Sequence, residues 1–417
     1  VLSIALIFSV YLNLTHEPAV MEQPDPVSVL IADFDNQTGD PVFDGTLEQT
    51  LSLGIEGASF VSAFSRLSAR TLIEKLRPEG GLDEEGARLL AVREGIELVL
   101  TGAISEDNGK YLFSVRLVEP VNGDAVAEVE QSAKDKVSVL AAVTEVTDEL
   151  REELGDTDVG DASDKIIETF TAGTLEAAHA YTRAQVIAND GDYESAIELY
   201  QSALESDPNF GRAYSGWAVA AYHLGRSDEA EEVWKKALSL MDTMTERERY
   251  RTLGTYYMVV SGNFQKAIEN FEELVAKFPA DGAGHNNLAV SYFSTLDFER
   301  AMAEGQKVLE IYPNSLFYKQ NAALYAMYAG DFESAEAQGR EVISADESRY
   351  YARLPVAIAA LSRGDFDAAR AAYEDMAQTG EPGASHANLG LADLEIYLGR
   401  HAEAIAMLNE GIATDLN

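Results

Sequence analysis

The sequence has 417 residues, 71 acidic against 31 basic side chains, a formal charge of −40 and no cysteine. Nucleic acids and anionic membrane surfaces bind basic protein surfaces, so this charge argues against either as the main partner. Without cysteine the chain forms no disulfide and no cysteine-zinc site. The six histidines show no HExxH or HxxxH spacing. The totals favour an acidic protein of two or three domains without a metal centre.

The chain opens with an uncharged apolar stretch, VLSIALIFSVYLNL (1–14). A membrane span needs about 20 apolar residues, so this stretch is too short to cross a bilayer alone. We interpret it as the carboxyl-terminal part of a transmembrane helix that is truncated at residue 1. A proline-containing polar linker follows over 15–26. No second run of this kind occurs later, so we expect the bulk of the chain to lie on one side of the membrane, in the periplasm.

Residues 27–155 alternate between strand and helix patterns, which predicts an α/β domain with helices packed on a mixed sheet. Asn108-Gly109 and Asn122-Gly123 are expected to supply the positive φ of two hairpin turns. Asp83 is expected to cap a helix. The expected strands are 27–34, 60–65, 96–105, 110–120 and 124–133, and the expected helices are 46–57, 68–76, 83–95 and 136–154.

Two aspartates, Asp33 and Asp35, follow the first apolar strand, an arrangement that phosphatases of the haloacid-dehalogenase type use for catalysis. Gln37 stands where that motif requires Thr or Val, and the chain lacks a recognisable downstream lysine and acidic pair to hold magnesium. A calcium loop fails because Thr38 stands where a glycine is required. We therefore interpret Asn36, Thr38 and Asp40 as turn formers, with Asp44-Gly45-Thr46 capping the next helix.

A period of about 34 residues runs from residue 175 to the end of the sequence, after a linker over 156–174. It aligns seven alanines, a turn residue five positions before each, and often a large residue four positions after. Prolines 208, 279 and 313 end several units. The alanines are Ala196, Ala230, Ala267, Ala301, Ala335, Ala369 and Ala404, and the turn residues are Gly191, Gly225, Gly262, Leu296, Gly330, Gly364 and Gly399.

This register resembles the tetratricopeptide repeat, in which pairs of helices A and B stack into a right-handed superhelix. The small residue allows close helix packing, and the glycine adopts the left-handed turn between helices. Gly305 and Gly339 depart from the pattern at the aromatic position. The step from Ala230 to Ala267 is 37 residues, so we expect a longer helix or loop there. We predict about seven repeats over 175–417, forming an all-α superhelix.

The concave face of such a superhelix is lined by helix A and binds peptides. Helix A positions counted from each alanine give a mixture of aromatic, amide and arginine side chains that suits an extended peptide. Some of these aromatics could instead pack between neighbouring repeats. The predicted groove residues are Tyr181, Gln185, Arg212, Tyr222, Arg249, Tyr256, Asn286, Phe293 and Gln320.

The stretch FDNQTGDPVFDGTLEQTLSLGIEGASF, together with the apolar start, the strand meander and the repeats, resembles the extracytoplasmic region of bacterial membrane-anchored serine/threonine kinases. The resemblance implies that 27–155 is similar to the amino-terminal domain of the TolB protein. It also implies a non-catalytic sensor region that binds peptide or protein partners, with the kinase domain before residue 1. Similar regions follow cyclases and winged-helix regulators. The alternative is a periplasmic assembly scaffold. In neither case do we expect an enzyme activity or a cofactor in this chain.

Overall fold

The computed structural model describes residues 25–157 and 172–415. The predicted transmembrane stretch 1–14 lies outside these ranges. Among the described residues, none of the helices combines the length and the apolar composition needed to cross a bilayer. The described chain has two parts, an α/β region (25–157) and a helical repeat region (172–415). This confirms the predicted fold class.

The α/β region contains one mixed sheet, in the order β3-β1-β4-β5-β6, with β2 paired to β4. Strands β3, β1 and β2 run parallel to their neighbours, and β4, β5 and β6 form an antiparallel meander. The strands are β1 (Val27–Ile31), β2 (Asp35–Asn36), β3 (Val61–Ala63), β4 (Leu98–Asp107), β5 (Lys110–Val118) and β6 (Ala125–Ala133).

Four helices cover the two faces of this sheet, because the strands present apolar side chains to both sides. On one face, α1 (Thr46–Ile55) and α4 (Val139–Glu153) enclose a core. On the other face lie α2 (Arg66–Leu76) and α3 (Glu84–Glu94). The second core also contains Val308, Ile311 and Tyr312 from the repeat region. The sheet is therefore buried partly by its own helices and partly by the repeats.

The two predicted helix caps of the α/β region have different outcomes. Asp83 caps α3 by accepting a hydrogen bond from the Gly86 amide, as predicted. The cap predicted at Asp44-Gly45-Thr46 is wrong, because the N-cap residue of α1 is Gly45 in the left-handed conformation and no side chain caps the helix. The carboxylate of Asp44 instead accepts a hydrogen bond from the Asn36 amide at 2.7 Å.

The two hairpin turns also differ from each other. Asn108 and Gly109 both have positive φ, as a two-residue turn requires. At the second turn only Gly123 has positive φ. The connection there is longer, and the Gly123 amide donates to the Glu119 carbonyl at 2.9 Å. The prediction that Asn122 shares the positive φ is therefore wrong, because the longer loop closes without it.

The repeat region consists of seven pairs of helices, A and B, over 172–415. Neighbouring helices pack side by side through short connections. The A helices are α5 (Leu175–Asn189), α7 (Gly211–His223), α9 (Glu246–Thr255), α11 (Gly282–Ser294), α13 (Leu316–Ala329), α15 (Arg353–Ser362) and α17 (Glu381–Tyr397). The B helices are α6 (Tyr193–Ser206), α8 (Ser227–Ser239), α10 (Phe264–Lys277), α12 (Phe298–Ile311), α14 (Phe332–Ala345), α16 (Phe366–Ala377) and α18 (His401–Asp415).

The residues that set the repeat register have the predicted roles. All seven aligned alanines are at most 1% exposed, because each lies where helix B meets its neighbours. All seven turn residues have φ between 64° and 85°, the left-handed region that favours glycine. Leu296 is the one turn residue of the seven that is not glycine, and its side chain is 73% exposed.

The departures from the repeat pattern have structural explanations. A Cβ atom on Gly305 would lie 3.0 Å from the ring of Tyr325, which comes from the following A helix and takes the place of the missing aromatic. The extra length in repeat 3 contains a 3₁₀ turn at Met241–Thr243 and a π-helical turn at Tyr256–Val260 that extends α9. A π turn is the usual result of an extra residue within a helix, and it often occurs at functional sites.

Candidate functional site

Two adjoining cavities lie along the A helices, and both also receive side chains from α2 of the α/β region. We call the first the repeat cavity. It has a volume of about 430 Å³ and lies between repeats 1, 2 and 3. Three of the nine predicted groove residues, Tyr181, Gln185 and Arg212, line it. Its other lining residues include Asn189, Tyr200, Ser215, Val219, Trp234, Arg251, Thr252 and, from α2, Leu67.

Several polar groups of the repeat cavity are held by other side chains. The Gln185 amide donates to the Tyr200 hydroxyl at 2.5 Å, and burial raises the pKa of Tyr200. A guanidinium nitrogen of Arg212 lies 3.4 Å from the Glu248 carboxylate. Tyr181 is only 7% exposed and packs on Tyr200, so its ring offers little surface to a ligand in this conformation. The lining of the cavity is thus mostly apolar, with a few polar groups that are held in place before any ligand binds.

The other six predicted groove residues lie outside the repeat cavity. Tyr222 is 40% exposed, and Arg249 lies over the Tyr250 ring at 5.6 Å. Tyr256 packs on Trp234 with ring centres 5.5 Å apart. Asn286 bonds to its neighbouring amides, Phe293 joins an aromatic cluster with Phe298, Tyr325 and Tyr328, and Gln320 is half-buried. A role in peptide binding stays a prediction for all nine residues.

We call the second cavity the interface cleft, because it lies between α2 and α3 of the α/β region and repeats 4 and 5. Its volume is about 340 Å³. Lys75 and Arg93 line it from the α/β region, whereas Phe317, Tyr318 and Arg349 line it from the repeats. It shares Asn189 and Arg251 with the repeat cavity. Sequence reasoning placed the groove within the repeats alone and missed this second wall.

A cluster of four charged side chains joins the α/β region to the repeats. The Arg251 guanidinium donates to both carboxylate oxygens of Glu56, at 2.8 and 3.2 Å. Arg251 and Arg247 each donate to the same oxygen of Asp281 at 2.8 Å. Arg247 also donates to the carbonyls of Glu56 and Val61 in the α/β region. Two acids and two bases thus balance in a site that is mostly closed to solvent.

The charges in this cluster stay ionised because they face each other. Burial raises the pKa of the Asp281 carboxyl, but attraction to Arg251 and Arg247 outweighs burial and holds the pKa below the ordinary value. The same balance lowers the pKa of Glu56. Removing one member of such a cluster leaves a buried charge without its partner, which is far more costly than losing a surface ion pair.

Further bonds fix the same contact between the two regions. The Tyr312 hydroxyl lies 2.7 Å from the Ser62 hydroxyl, and both are buried. The backbone amide of Asn314 donates to the Glu94 carbonyl at 3.2 Å. No local pattern in the sequence links these partners, since more than 200 residues separate them in each pair. For the ion cluster, the signal in the sequence is that Arg247 and Arg251 lie one helical turn apart in a chain with few basic residues.

The two aspartates after β1 are bonded to side chains of the α/β region. Asp33 accepts hydrogen bonds from Arg66 at 2.5 Å and from Arg70 at 3.2 Å. Asp35 accepts one from Gln37 at 2.7 Å. Within 25–157 and 172–415, no group of three or more His, Asp or Glu side chains is placed to hold a metal ion. The absence of an enzyme activity stays a prediction.

Comparison with known proteins identifies the repeats. Residues 189–247 and 360–417 match one tetratricopeptide-repeat family model, and residues 259–315 and 321–384 match a second. Together these matches cover about half of the sequence and most of the repeat region. The chain therefore belongs to the tetratricopeptide-repeat proteins, and its repeat region is a scaffold for protein interaction or assembly.

Each individual relative matches a smaller part of the chain than the family models do together. An uncharacterized protein of Methanocaldococcus jannaschii, MJ0572, is 30% identical over 73 residues, which are 18% of this chain and 85% of that protein. The small glutamine-rich tetratricopeptide repeat-containing protein 2 of Saccharomyces cerevisiae is 26% identical over 149 residues, 34% of this chain and 43% of its own. Among solved structures, the type IV pilus biogenesis factor PilW is 22% identical with a TM-score of 0.42, covering 48% of this chain and 91% of PilW.

Proposed function

We propose that this chain is the extracytoplasmic sensor and protein-interaction region of a membrane-anchored bacterial signalling protein. The proposal rests on the preorganised repeat cavity, together with the α/β region fixed against the same A helices. A peptide or protein segment binds along the A helices, and the bound state is passed to the membrane through the α/β region. The apolar stretch 1–14 supports membrane attachment.

The output of the signalling protein is proposed to be a serine/threonine kinase domain that precedes residue 1. This part rests on the sequence resemblance of the whole chain to kinase sensor regions. The coding sequence upstream of Val1 tests it directly. A kinase, cyclase or winged-helix domain there supports signalling, whereas an immediate start with a signal anchor supports the periplasmic assembly scaffold instead.

Partner binding in the repeat cavity is tested with a variant that fills it. Ser215 and Thr252 are half-buried lining residues on repeats 2 and 3. We expect Ser215→Arg with Thr252→Arg to abolish capture of the partners that the unmodified protein retains from an envelope extract. The control is Ser202→Arg with Gln265→Arg, which adds the same two charges at exposed positions on B helices.

The outcome is read by mass spectrometry of the captured proteins, with circular dichroism to verify that each variant is folded. Partners that are lost only from the cavity variant support the proposal. If every partner is retained by a folded cavity variant, the repeat cavity is not the binding surface and the proposed function in its present form is wrong.

A further inference from the structure

One face of α2 is directed at the repeats along its whole length. Leu67, Ser68, Thr71, Leu72 and Lys75 line the two cavities, and their spacing of one, three or four residues places them on one side of a helix. Leu67 lines the repeat cavity, and the other four line the interface cleft. The two cavities share the lining residues Asn189 and Arg251, so they adjoin each other beside α2, and we call the pair the path.

The dimensions of this path suit a short extended peptide. A helix of 11 residues is about 16 Å long. An extended chain advances about 3.3 Å per residue, so about five residues fit beside α2. Ser68, Thr71 and Asn189 line this space and carry hydroxyl and amide groups that can bond to a peptide backbone. The Thr71 hydroxyl donates to the Leu67 carbonyl at 3.2 Å, which leaves its oxygen as an acceptor. Glu56 and Arg251 of the ion cluster also line the interface cleft, and their hydrogen bonds fix the two walls against each other.

The interface cleft is locally basic in a strongly acidic chain. Its lining has four bases, Lys75, Arg93, Arg251 and Arg349, and two acids, Glu56 and Glu94. Glu56 and Arg251 are paired in the ion cluster. Burial raises the pKa of Glu94 against the attraction of Arg93, Arg349 and Lys319, and its carboxylate lies 3.5 Å from Arg93. The net charge of the lining is therefore positive, whereas the chain as a whole carries −40.

Arg349 is the most informative of these bases. Its Nε atom is buried and makes no hydrogen bond, although it lies 3.4 Å from the Asp346 carboxylate. In the same cleft Tyr318 is half-buried, and burial raises the pKa of its hydroxyl to about 12. Phe317 is 51% exposed next to Tyr318. Arg349 and these two rings line the same cleft, so one ligand can meet a positive charge and an apolar surface there.

We infer that the α/β region forms one wall of the peptide groove and that the interface cleft selects an acidic peptide. Carboxylates of the peptide pair with Lys75, Arg93 and Arg349, an apolar or aromatic side chain packs on Phe317 and Tyr318, and the chain continues beside α2 into the repeat cavity. This inference rests on the proposed function and names the chemistry of its partner. The positive charge of the cleft complements the peptide carboxylates, which increases the specificity of binding and the association rate.

The test uses fluorescein-labelled eight-residue peptides of three compositions, each with one central Phe: rich in Asp and Glu, rich in Lys and Arg, or uncharged. Each is made with a free and with an amidated carboxyl terminus, so that side-chain and terminal carboxylates are distinguished. Fluorescence anisotropy gives Kd at 50 and 300 mM salt. We expect only acidic peptides to bind, with weaker binding at high salt, because charge attraction is screened.

Two variants locate the binding. Lys75→Glu with Arg349→Glu is expected to raise the Kd for acidic peptides about tenfold or more, because the loss of even one charge-assisted hydrogen bond has an effect of this size. Its control, Lys110→Glu with Lys235→Glu, makes the same change of net charge at exposed positions and should leave Kd unchanged. Thr71→Trp blocks the cleft without a change of charge and should weaken the same peptides, which provides a second test if the charge reversal disturbs folding.

The outcomes separate this inference from the proposed function. If acidic peptides bind and both cleft variants retain the original Kd, while Ser215→Arg with Thr252→Arg abolishes binding, the groove functions but the α/β wall does not select the ligand. If the unmodified protein does not prefer acidic peptides over the other two compositions, the inference is wrong, and capture from the envelope extract still decides the proposed function.

Discussion

Asp281→Asn is expected to be among the most destabilising single substitutions at the contact between the α/β region and the repeats. The Asp281 side chain is 0% exposed and accepts hydrogen bonds from Arg247, Arg251 and the Gly284 amide, each at 2.8 Å. Asn keeps the bond to Gly284 but removes the charge that balances two arginines. Breaking a buried ion pair from one side costs about 3–5 kcal/mol, and we expect a loss in that range.

The control is Asp192→Asn, since Asp192 caps the start of α6 by accepting a hydrogen bond from the Ser195 amide and is exposed to solvent. Asn and Asp are nearly equal as capping residues, so the change there should stay within about 0.5 kcal/mol. Urea unfolding, followed by circular dichroism and by fluorescence of Trp217 and Trp234, measures both variants. If the free energies of unfolding of the two variants fall equally, the ion cluster does not stabilise the contact.

The same prediction has a pH dependence. Burial raises the pKa of Asp281, but Arg251 and Arg247 hold it below the value of 3.8 of an exposed Asp. A lowered pKa means that the stabilisation is complete above about pH 4 and is lost as the pH falls through the pKa of the folded state. The difference between the unmodified protein and Asp281→Asn should therefore be constant from about pH 5 to 8.

Three further predictions concern other parts of the fold. Leu296→Gly should raise the free energy of unfolding by about 1 kcal/mol, because Leu296 has φ 65° and glycine adopts it without strain; the neighbouring Thr295→Gly, at φ −95°, should lower it. Ala301→Leu should lower the melting temperature, since overpacking this fully buried position costs about 1–3 kcal/mol; an unchanged value would contradict the repeat register. Burial raises the pKa of Glu48 against the attraction of Arg66, so the contribution of this carboxyl to the free energy of unfolding falls as the pH rises. In urea unfolding, Glu48→Gln should have a higher free energy of unfolding than the unmodified protein at neutral pH, and the difference should shrink as the pH is lowered toward 4.5.

Sequence patterns predicted the parts of the fold that depend on residues close together in the chain. The left-handed turns and buried alanines follow from a period of about 34 residues, and the cap at Asp83 follows from its position before a helix. The cap at Asp44 was wrong, because Asp44 bonds to Asn36 instead, and a propensity does not reveal which of two local partners a side chain takes.

The sequence predicted one wall of the groove and missed the other, because the second wall depends on residues that are far apart in the chain. Helix A positions identified Tyr181, Gln185 and Arg212, which do line one cavity. The pattern could not reveal the second wall, since the contact between Glu56 and Arg251 joins residues 195 positions apart. Asp281, which precedes α11, has the sequence position of an ordinary helix cap. Its hydrogen bonds with Arg247 and Arg251 depend on the stacking of neighbouring repeats, which the sequence does not show.

Repeat proteins of this kind usually change length by gaining or losing whole repeats, because each repeat contacts only its neighbours. The contact with the α/β region removes that freedom from part of this chain. Repeats 1 and 3 and the starts of repeats 4 and 5 each hold a bond to it, through His179, Arg247, Ala280 and Asn314. Deleting or duplicating a repeat within this span would shift every later contact by one unit. Changes in repeat number should therefore be confined to the part after repeat 5, where the stack can lengthen without moving the sheet.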